Sequence, residues 1–536
     1  MKQSTDGRIK GILNAWPLGL TLGLILAAVL VPICGLILAM LDPADLFATP
    51  PRDWSDLSYL ILRTLGLAII VSCASLVFGT WLAWVQTRTH YFGRRWLALI
   101  STLPLAVPSY LLATIVREAM APRGSLGSIL GSETVFSGFI PACIVLTLSC
   151  TPYVQLLVSA ALGRIPASTD EAAQLLGAGP WKRFWSLTAN ALRPTWTFSL
   201  VIVAFYVISD FGAVAVLDCE VLTWALYQAR HAPADAVRIG FGMLLCVIPI
   251  LIGLRLLHGA AKPERHLGDA RLLKRSELKG PLLFMTYSLH GIIAGLGLVL
   301  PLVTLSVWVL NGLEANITFS SIGAPLATTL AYTLFGALIT MLCALLPAWT
   351  FGRHQGKLGE MGEHSTYAAS SLPGILVAMG IFYVFLGVQR ILGTSPNAFS
   401  LWSTLESFGL FLIFGYTVRF LSEGYAAIKP AVLRLDLRHE ETAQTLGASR
   451  PRIFREITLP ALAPGMFTAY CLLFIAIAKE LPITLMLTPL GRQTLAYRIF
   501  DAQQEGALAD VGLGGILLLS LAFAIQALLY RWRRHV

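Results

Sequence analysis

An all-α integral membrane protein with about twelve spanning helices, built as two parallel six-helix repeats, is the fold class this sequence predicts. Three observations carry it: a composition too apolar for a water-facing surface, about twelve apolar stretches of spanning length, and a segment that recurs 270 positions later with its spacing intact. Of 536 residues, 56% are hydrophobic and 13% charged, and the mean hydropathy is +0.72. A soluble domain carries about a quarter charged residues, so the bilayer must supply most of the solvent here. Inside hydrocarbon each backbone N–H and C=O has to find its partner within the segment, which makes the apolar stretches helices.

Stretches of spanning length lie near 16–41, 58–86, 95–117, 136–162, 192–217, 237–258, 283–311, 325–351, 366–390, 402–421, 462–489 and 508–530. The first is too long for a cleavable signal and no small-residue cleavage site follows it, so it reads as a spanning helix. With the N-terminus in the cytoplasm, that side receives the N-terminal arm, Arg88–Arg95, the loop of Lys182 and Arg183, and the run Arg255–Lys279. It also receives Arg353 and Lys357, the stretch Arg419–Arg455 and Arg531–Arg534. These hold about 29 of the 39 Lys and Arg residues, a positive-inside bias that puts both termini in the cytoplasm. The far side holds loops such as Asp42–Asp56, poor in Lys and Arg. The net charge of +10 follows from this distribution and is not a nucleic-acid signature. The eight cysteines show no CxxC or Cys/His spacing; seven lie in apolar segments as small fillers, and Cys219 lies on the far side, so no structural disulfide is expected.

Residues 171–194 read EAAQLLGAGPWKRFWSLTANALRP and residues 441–464 read ETAQTLGASRPRIFREITLPALAP. Glu171, Ala173, Gln174, Gly177, Phe184 and Pro194 find Glu441, Ala443, Gln444, Gly447, Phe454 and Pro464 at one constant offset. Further matches extend the repeat. Thr64-Leu65, Ala83-Trp84 and Arg88 answer Thr329-Leu330, Ala348-Trp349 and Arg353. Leu103-Pro104 answers Leu372-Pro373, Ser209-Asp210 answers Lys479-Glu480, and Thr223 and Tyr227 loosely answer Thr494 and Tyr497. The chain therefore divides into a first half, 1–259, with its loop at 165–194; a basic linker, 260–280; and a second half, 281–536, with its loop at 435–464. Each half reads as one peripheral helix and a five-helix core. An even number of helices per half makes the halves parallel repeats about an axis along the membrane normal, with the pore between them.

Each repeated loop reads as a short helix ending at Gly177 or Gly447, where glycine accepts a positive φ. Ser168 or Thr169 caps the first copy. Glu171 and Glu441 stand near helix N-termini, where negative charge is favoured, and are placed to accept from a partner's arginine. Phe184 or Phe454 follows, and Pro194 or Pro464 stands near the start of the next span. One such loop alone also allows the lesser reading of an amphipathic helix on the bilayer surface; two at a fixed offset point to the same partner docking twice.

The pattern E-A-A-x-x-x-G, with an aromatic and a Pro downstream, resembles the coupling loop of binding-protein-dependent ABC importer permeases. The resemblance implies the type I ABC importer permease fold. It also implies that Glu171, Ala172, Ala173, Gly177 and Phe184, together with Glu441, Ala443, Gly447, Phe454 and Pro460, engage an ATP-hydrolysing subunit. Thr442 replaces the central Ala of the second copy. Asn190 stands where the second copy has Pro460, which leaves the end of the first coupling element open. The chain holds no G-x-x-x-x-G-K-[ST] loop, so it reads as a transport subunit with no catalytic residues and no cofactor of its own. ATP and Mg²⁺ belong to two copies of a separate cytoplasmic ABC ATPase. A periplasmic substrate-binding protein and membrane lipid are the other partners implied, with the bacterial inner membrane as location and no nucleic acid.

Asp210 in FYVISDFGAVAVL and Lys479-Glu480 in FIAIAKELPITLML place charge at membrane depth, which suggests a pathway lining. Asp210 and Glu480 occupy equivalent positions and would favour a cation between them; alternatively Lys479 pairs with Glu480 or Asp210 and only fixes packing. Tyr206, with Tyr227, Tyr470 and Tyr497, offers hard oxygen donors, although tyrosine also marks membrane interfaces. The stretches SDFGAVAVL with TWALYQA, and AKELPITLMLTPLGRQTLAYRIFDAQQEGALADVGL, are similar to the two-half permeases of bacterial ferric-iron importers, most strongly over 165–240 and 435–515. That implies Fe³⁺ as the cargo; related duplicated permeases carry thiamine, polyamines or phosphonates. The sequence departs at Asp218-Cys219-Glu220, where a Gly-bearing turn is expected; these carboxylates read as a cation attractant, a binding-protein contact or solvated loop charges. No His-rich or acidic cluster marks a tight metal site, and a pore needs release. A secondary transporter leaves the twin loops unexplained, and no Ser/His or His/Asp/Glu spacing supports a membrane enzyme.

Overall fold

A computed structural model describes residues 15–40, 54–131, 133–165, 167–258, 275–315, 320–353, 357–369, 372–393 and 396–535. The expected linker over 260–280 lies outside the described residues except for 275–280, as does most of the loop Asp42–Asp56. The first half runs α1 (Ala15–Met40), α2 (Trp54–Arg88), α3 (Ser109–Met120), α4 (Phe139–Leu162), α5 (Ala167–Leu175), α6 (Phe184–Ser209), α7 (Gly212–Val216) and α8 (Pro233–His258). The second runs α9 (Pro281–Glu314), α10 (Ser320–Arg353), α11 (Gly374–Leu392), α12 (Leu410–Leu433), α13 (Leu437–Thr445), α14 (Pro451–Ala478), α15 (Pro482–Leu487) and α16 (Leu508–His535). Ten described helices are long and apolar enough to cross a membrane, or twelve when two bent pairs count as spans.

The halves repeat each other in contacts as well as in sequence. α2 packs along α4, and α10 along α12. Thr64 Oγ1 donates to Leu60 O at 2.7 Å and accepts from Leu222 N at 3.0 Å; Thr329 Oγ1 donates to Pro325 O at 2.7 Å and accepts from Leu495 N at 2.7 Å. One hydroxyl thus satisfies the first amide of an incoming helix in each half, a group that would be costly to bury unpaired.

Besides the span expected at 366–390, whose helix begins only at Gly374 after the Pro373 cap, four expected spans are corrected, each for a local reason. The stretch at 95–117 is not one helix: the segment Arg94–Ala106 and α3 meet at 100°. Pro108 pushes the preceding residue into the extended region, and Val107 takes φ −78°, ψ 123°. Pro108 (φ −59°, ψ 143°) caps α3 as Pro373 (φ −56°, ψ 140°) caps α11, so Pro108, and not Pro104, is the counterpart of Pro373. The expected spans at 192–217 and 462–489 start earlier and end at Ser209 and Ala478, so Pro194 and Pro464 sit inside helices and not near their starts. The fourth, at 402–421, is broken: the helix Phe399–Ser407 and α12 meet at 61° across Gly409, which takes φ +74°, and α12 runs on to Leu433. Arg419 therefore lies within a spanning helix and not in the cytoplasmic stretch.

α1 leaves its own half and packs along α11 of the other. Their backbones meet where Gly35 faces Gly380: a Cβ on either would clash with main-chain atoms of the opposite helix, at Gly380 and Pro32 respectively. Small residues permit such an approach in lipid, where close packing replaces the hydrophobic drive. Gly380→Val is expected to destabilise the protein by about 3 kcal/mol. Gly387→Val, on the same helix with nothing within 4 Å of its Cβ position, is expected to be near neutral. Thermal unfolding in detergent compares the two.

Candidate functional site: twin exposed helices and an interhalf cavity

α5 and α13 are built alike. Leu176 N bonds Ala172 O at 3.1 Å, Gly177 N bonds Gln174 O at 3.0 Å and Ala178 N bonds Ala173 O at 3.0 Å. The second copy repeats this with Leu446 N to Thr442 O at 3.1 Å, Gly447 N to Gln444 O at 3.0 Å and Ala448 N to Ala443 O at 3.0 Å. Gly177 takes φ +76° and Gly447 φ +84°, the left-handed helix ending that the sequence suggested. Glu171, Ala172 and Glu441 are exposed, and Ala173 and Ala443 half-buried. Leu175, Leu176 and Leu446 are 89%, 87% and 81% exposed. These apolar side chains stand bare on a polar loop, and nothing among the described residues covers them.

Both loops rejoin their spans through a five-residue π-helical stretch, Phe184–Thr188 and Phe454–Thr458, which no sequence signal announced. Phe184 is half-buried beside Trp185, with ring centroids 5.4 Å apart; Phe454 stands edge-on to Trp349 at 6.0 Å. Asn190 donates to Ser186 O at 2.7 Å, and exposed Pro460 sits in the first turn of the α-helical part. The first loop thus rejoins its span as the second does, despite the Asn/Pro difference. Asp436 accepts from Arg438 N at 3.0 Å as the cap of α13. The side chains of Ser168 and Thr169, the expected caps of α5, lie outside the described residues.

A strut that sequence reasoning missed ties α13 to α14: Thr458 Oγ1 donates to Glu440 Oε1 at 2.7 Å. Asp170 and Thr188 stand at the same offset in the first half, a signal hidden by attention to the neighbouring Glu171 and Glu441. Thr458→Val removes the strut at nearly constant shape. The expected loss of about 1 kcal/mol raises amide exchange across 437–448 by about fivefold, measurable by mass spectrometry.

Asp210, Lys479, Glu480 and Tyr206, the four residues singled out for membrane depth, line one cavity of about 600 Å³ with walls from both halves. α7 and α15 enter it as short helices that follow breaks in α6 and α14. Each first turn is closed by the carboxylate before it: Asp210 Oδ1 accepts from Ala213 N at 2.9 Å, and Glu480 Oε1 from Ile483 N at 3.2 Å. These two residues, 270 positions apart, thus share a capping function in the structure, beyond any effect on solutes. Lys479 does not pair with Glu480 or Asp210; its Nζ donates to Leu105 O at 3.3 Å. The buried ion pair considered from the sequence is therefore not formed among the described residues.

Further lining residues were missed, two charges and a tyrosine among them. Arg419 and Glu423 project from α12, Nη1 to Oε1 3.8 Å apart, and Tyr153 joins them from α4. Arg419 and Glu423 were legible as charges four apart in an apolar helix; counting Arg419 as loop charge concealed them. By the constant offset they stand where the first half has Ser149 and Tyr153, so the second half supplies most of the charge and the first mainly hydroxyls. Tyr227 instead stacks on Trp224 at 5.8 Å, and Tyr470 donates towards Leu334 O at 3.5 Å; neither lines the cavity. Among the described residues, no three His, Cys, Asp or Glu side chains group as a metal site.

Asp218 takes φ +50°, the left-handed conformation for which a glycine was expected. Its carboxylate is 3.3 Å from Arg117 Nη1, and Glu220 is 3.7 Å from Arg63 Nη1. Both acids thus stand beside arginines of the first half and remain more than half exposed, as solvated loop charges do. All eight cysteines are free, and Cys219 is fully buried.

Two homologous helical halves, a cavity between them and a matching pair of exposed loop helices define a duplicated transmembrane permease. The chain belongs to the family described as binding-protein-dependent transport system inner membrane component, which matches residues 75–264 and again 341–535, once in each half. It is 26% identical to the Fe(3+)-transport system permease protein FbpB 2 of Haemophilus influenzae, over 84% of this chain and 85% of that one. It is 31% identical to the sulfate transport system permease protein CysW of Escherichia coli, over 30% of this chain and 57% of that one. It is 29% identical to the putative 2-aminoethylphosphonate transport system permease protein PhnV of Salmonella typhimurium, over 36% and 69%. The shorter matches cover about a third of this chain, and the match to the ferric-iron permease covers most of it.

Proposed function

We propose that this chain is the complete transmembrane unit of an ABC importer that moves ferric iron across the bacterial inner membrane. A periplasmic binding protein delivers the cargo. Two copies of a cytoplasmic ATPase dock on α5 and α13, through Glu171, Ala172, Ala173, Gly177 and Phe184 and through Glu441, Ala443, Gly447, Phe454 and Pro460. ATP and Mg²⁺ bind to those subunits, and closure of their dimer swings both loops. The halves then rock around the cavity so that it faces one side at a time. Asp210, Glu480, Glu423 and Tyr206 supply oxygen to the passing solute. The N- and C-termini face the cytoplasm. The observation that carries iron is the likeness to a Fe(3+) permease along 84% of the chain.

One observation favours a second reading. Arg419 and Lys479 put two cations in the cavity, and guanidinium and ammonium groups suit an oxyanion; sulfate and phosphonate permeases are among the relatives. Uptake of ⁵⁵Fe³⁺ into proteoliposomes holding this chain, its ATPase and its binding protein decides. Iron uptake that needs internal ATP supports the first reading. Iron left outside, with ATP-driven uptake of labelled sulfate or aminoethylphosphonate, supports the second and ends the first.

A further inference from the structure

At the end of α2 the chain builds a small surface structure that transport does not explain. Thr89 and His90 pair in parallel with Ser276 and Glu277, and Leu278 N bonds His90 O at 3.2 Å. Val85, Tyr91 and Leu278 form a separate apolar cluster beneath, backed by Trp84, Leu97 and Leu283. Tyr287 Oη donates to Phe92 O at 3.0 Å, tying α9 to the same turn. The residues that lead into the second half are thereby fastened to the first.

This fastening gathers positive charge. Arg94 Nη1 donates to Gln86 O, and Arg275 Nε to Thr87 O at 3.4 Å. These carbonyls are consecutive in the last turn of α2, so the two guanidinium groups converge on one helix end. Arg95 is exposed beside them, and the charges of Arg275 and Arg95 both act on Arg94. A helix C-terminus carries about half a negative charge, too little to balance three cations. The one carboxylate of the paired strands, Glu277, is taken by Lys279 at 2.5 Å. No carboxylate among the described residues lies within ion-pair distance of Arg94, Arg95 or Arg275. The rim is apolar: Phe92 is 91% exposed, Trp96 71% and Leu99 53%. Aromatic side chains in this setting sit at headgroup level. Arg88 Nη2 reaches Leu162 O at 3.2 Å, at the last residue of α4, and α5 begins at Ala167. The patch therefore lies on the membrane face that carries the coupling helices.

We propose that Arg94, Arg95 and Arg275 form a binding site for the phosphodiester of an anionic phospholipid on that face. Guanidinium groups grip phosphate oxygens through paired N–H donors. Phe92, Trp96 and Leu99 meet the acyl boundary beside them, which commits the site to a lipid and not to free phosphate. A bound lipid bridges the end of the first half and the entry to the second without touching the cavity.

Native mass spectrometry of the full chain tests this, with phosphatidylglycerol titrated against phosphatidylcholine and inorganic phosphate added in large excess. The wild type is expected to retain phosphatidylglycerol preferentially and to keep it in the presence of phosphate. Arg94→Gln/Arg95→Gln/Arg275→Gln is expected to weaken that retention roughly 100-fold, and exposed Arg95→Gln alone about fivefold. The corresponding triple lysine variant is expected to retain part of the preference. Should the triple Gln variant fail to fold, Arg95→Gln decides. Equal retention of both lipids by the wild type, unchanged retention in Arg95→Gln, or full displacement by inorganic phosphate would overturn the proposal.

Discussion

Gly177→Val/Gly447→Val is expected to lower ATP-driven uptake by about two orders of magnitude while leaving the membrane-embedded halves folded. Both glycines hold φ near +80°, and nothing lies within 4 Å of either Cβ position. Crowding therefore cannot contribute, and the whole effect is backbone strain. An L-residue in this region costs ~1–2 kcal/mol, and a β-branched one is worse off. The loop escapes the strain by straightening, which redirects Leu175, Leu176 and Leu446. About 2–4 kcal/mol over both loops leaves roughly one molecule in a hundred correctly aimed. Gly179→Val is the internal control: its Cβ position is equally open and its φ is not positive, so uptake is expected to change little. Equal losses from Gly179→Val and the glycine pair would show that the loop surface matters and not its ending.

Asp210→Ala/Glu480→Ala is expected to cost about 3 kcal/mol of stability, against about 0.5 kcal/mol or less for Asp210→Asn/Glu480→Gln. Each carboxylate closes the first turn of a short helix that enters the cavity. An amide oxygen accepts the same bond, whereas alanine leaves a backbone N–H without a partner where water is scarce. Thermal unfolding separates the pairs. If the amide pair is as unstable as the alanine pair, charge and not the cap holds these turns.

The helices were legible because a bilayer leaves no other way to satisfy the backbone of an apolar stretch. The twin loops were legible because one spacing occurs twice, and the cavity residues Asp210, Lys479, Glu480 and Tyr206 because charge and oxygen at depth are costly. What escaped has physical causes too. A hydropathy window averages across the breaks at Val107-Pro108, Asp210, Gly409 and Lys479-Glu480, so the spans it predicts run through bends. Arg419 reads as cytoplasmic in the sequence because a basic loop follows it, although Leu410–Leu433 continues well past it. The π-helical stretches leave no pattern in side-chain polarity, and the Thr458–Glu440 strut depends on a fold-back that spacing alone does not reveal. The packing of α1 on the opposite half rests on Gly35 and Gly380, which read in isolation as two glycines among 46.

One chain is expected to build the whole membrane unit and to present two docking loops. The mass of the assembled transporter, taken by native mass spectrometry with its ATPase bound, tests this most directly. One copy of this chain with two ATPase subunits is the expected composition. Two copies of this chain around the same ATPase pair, or a single ATPase on one chain, would contradict it.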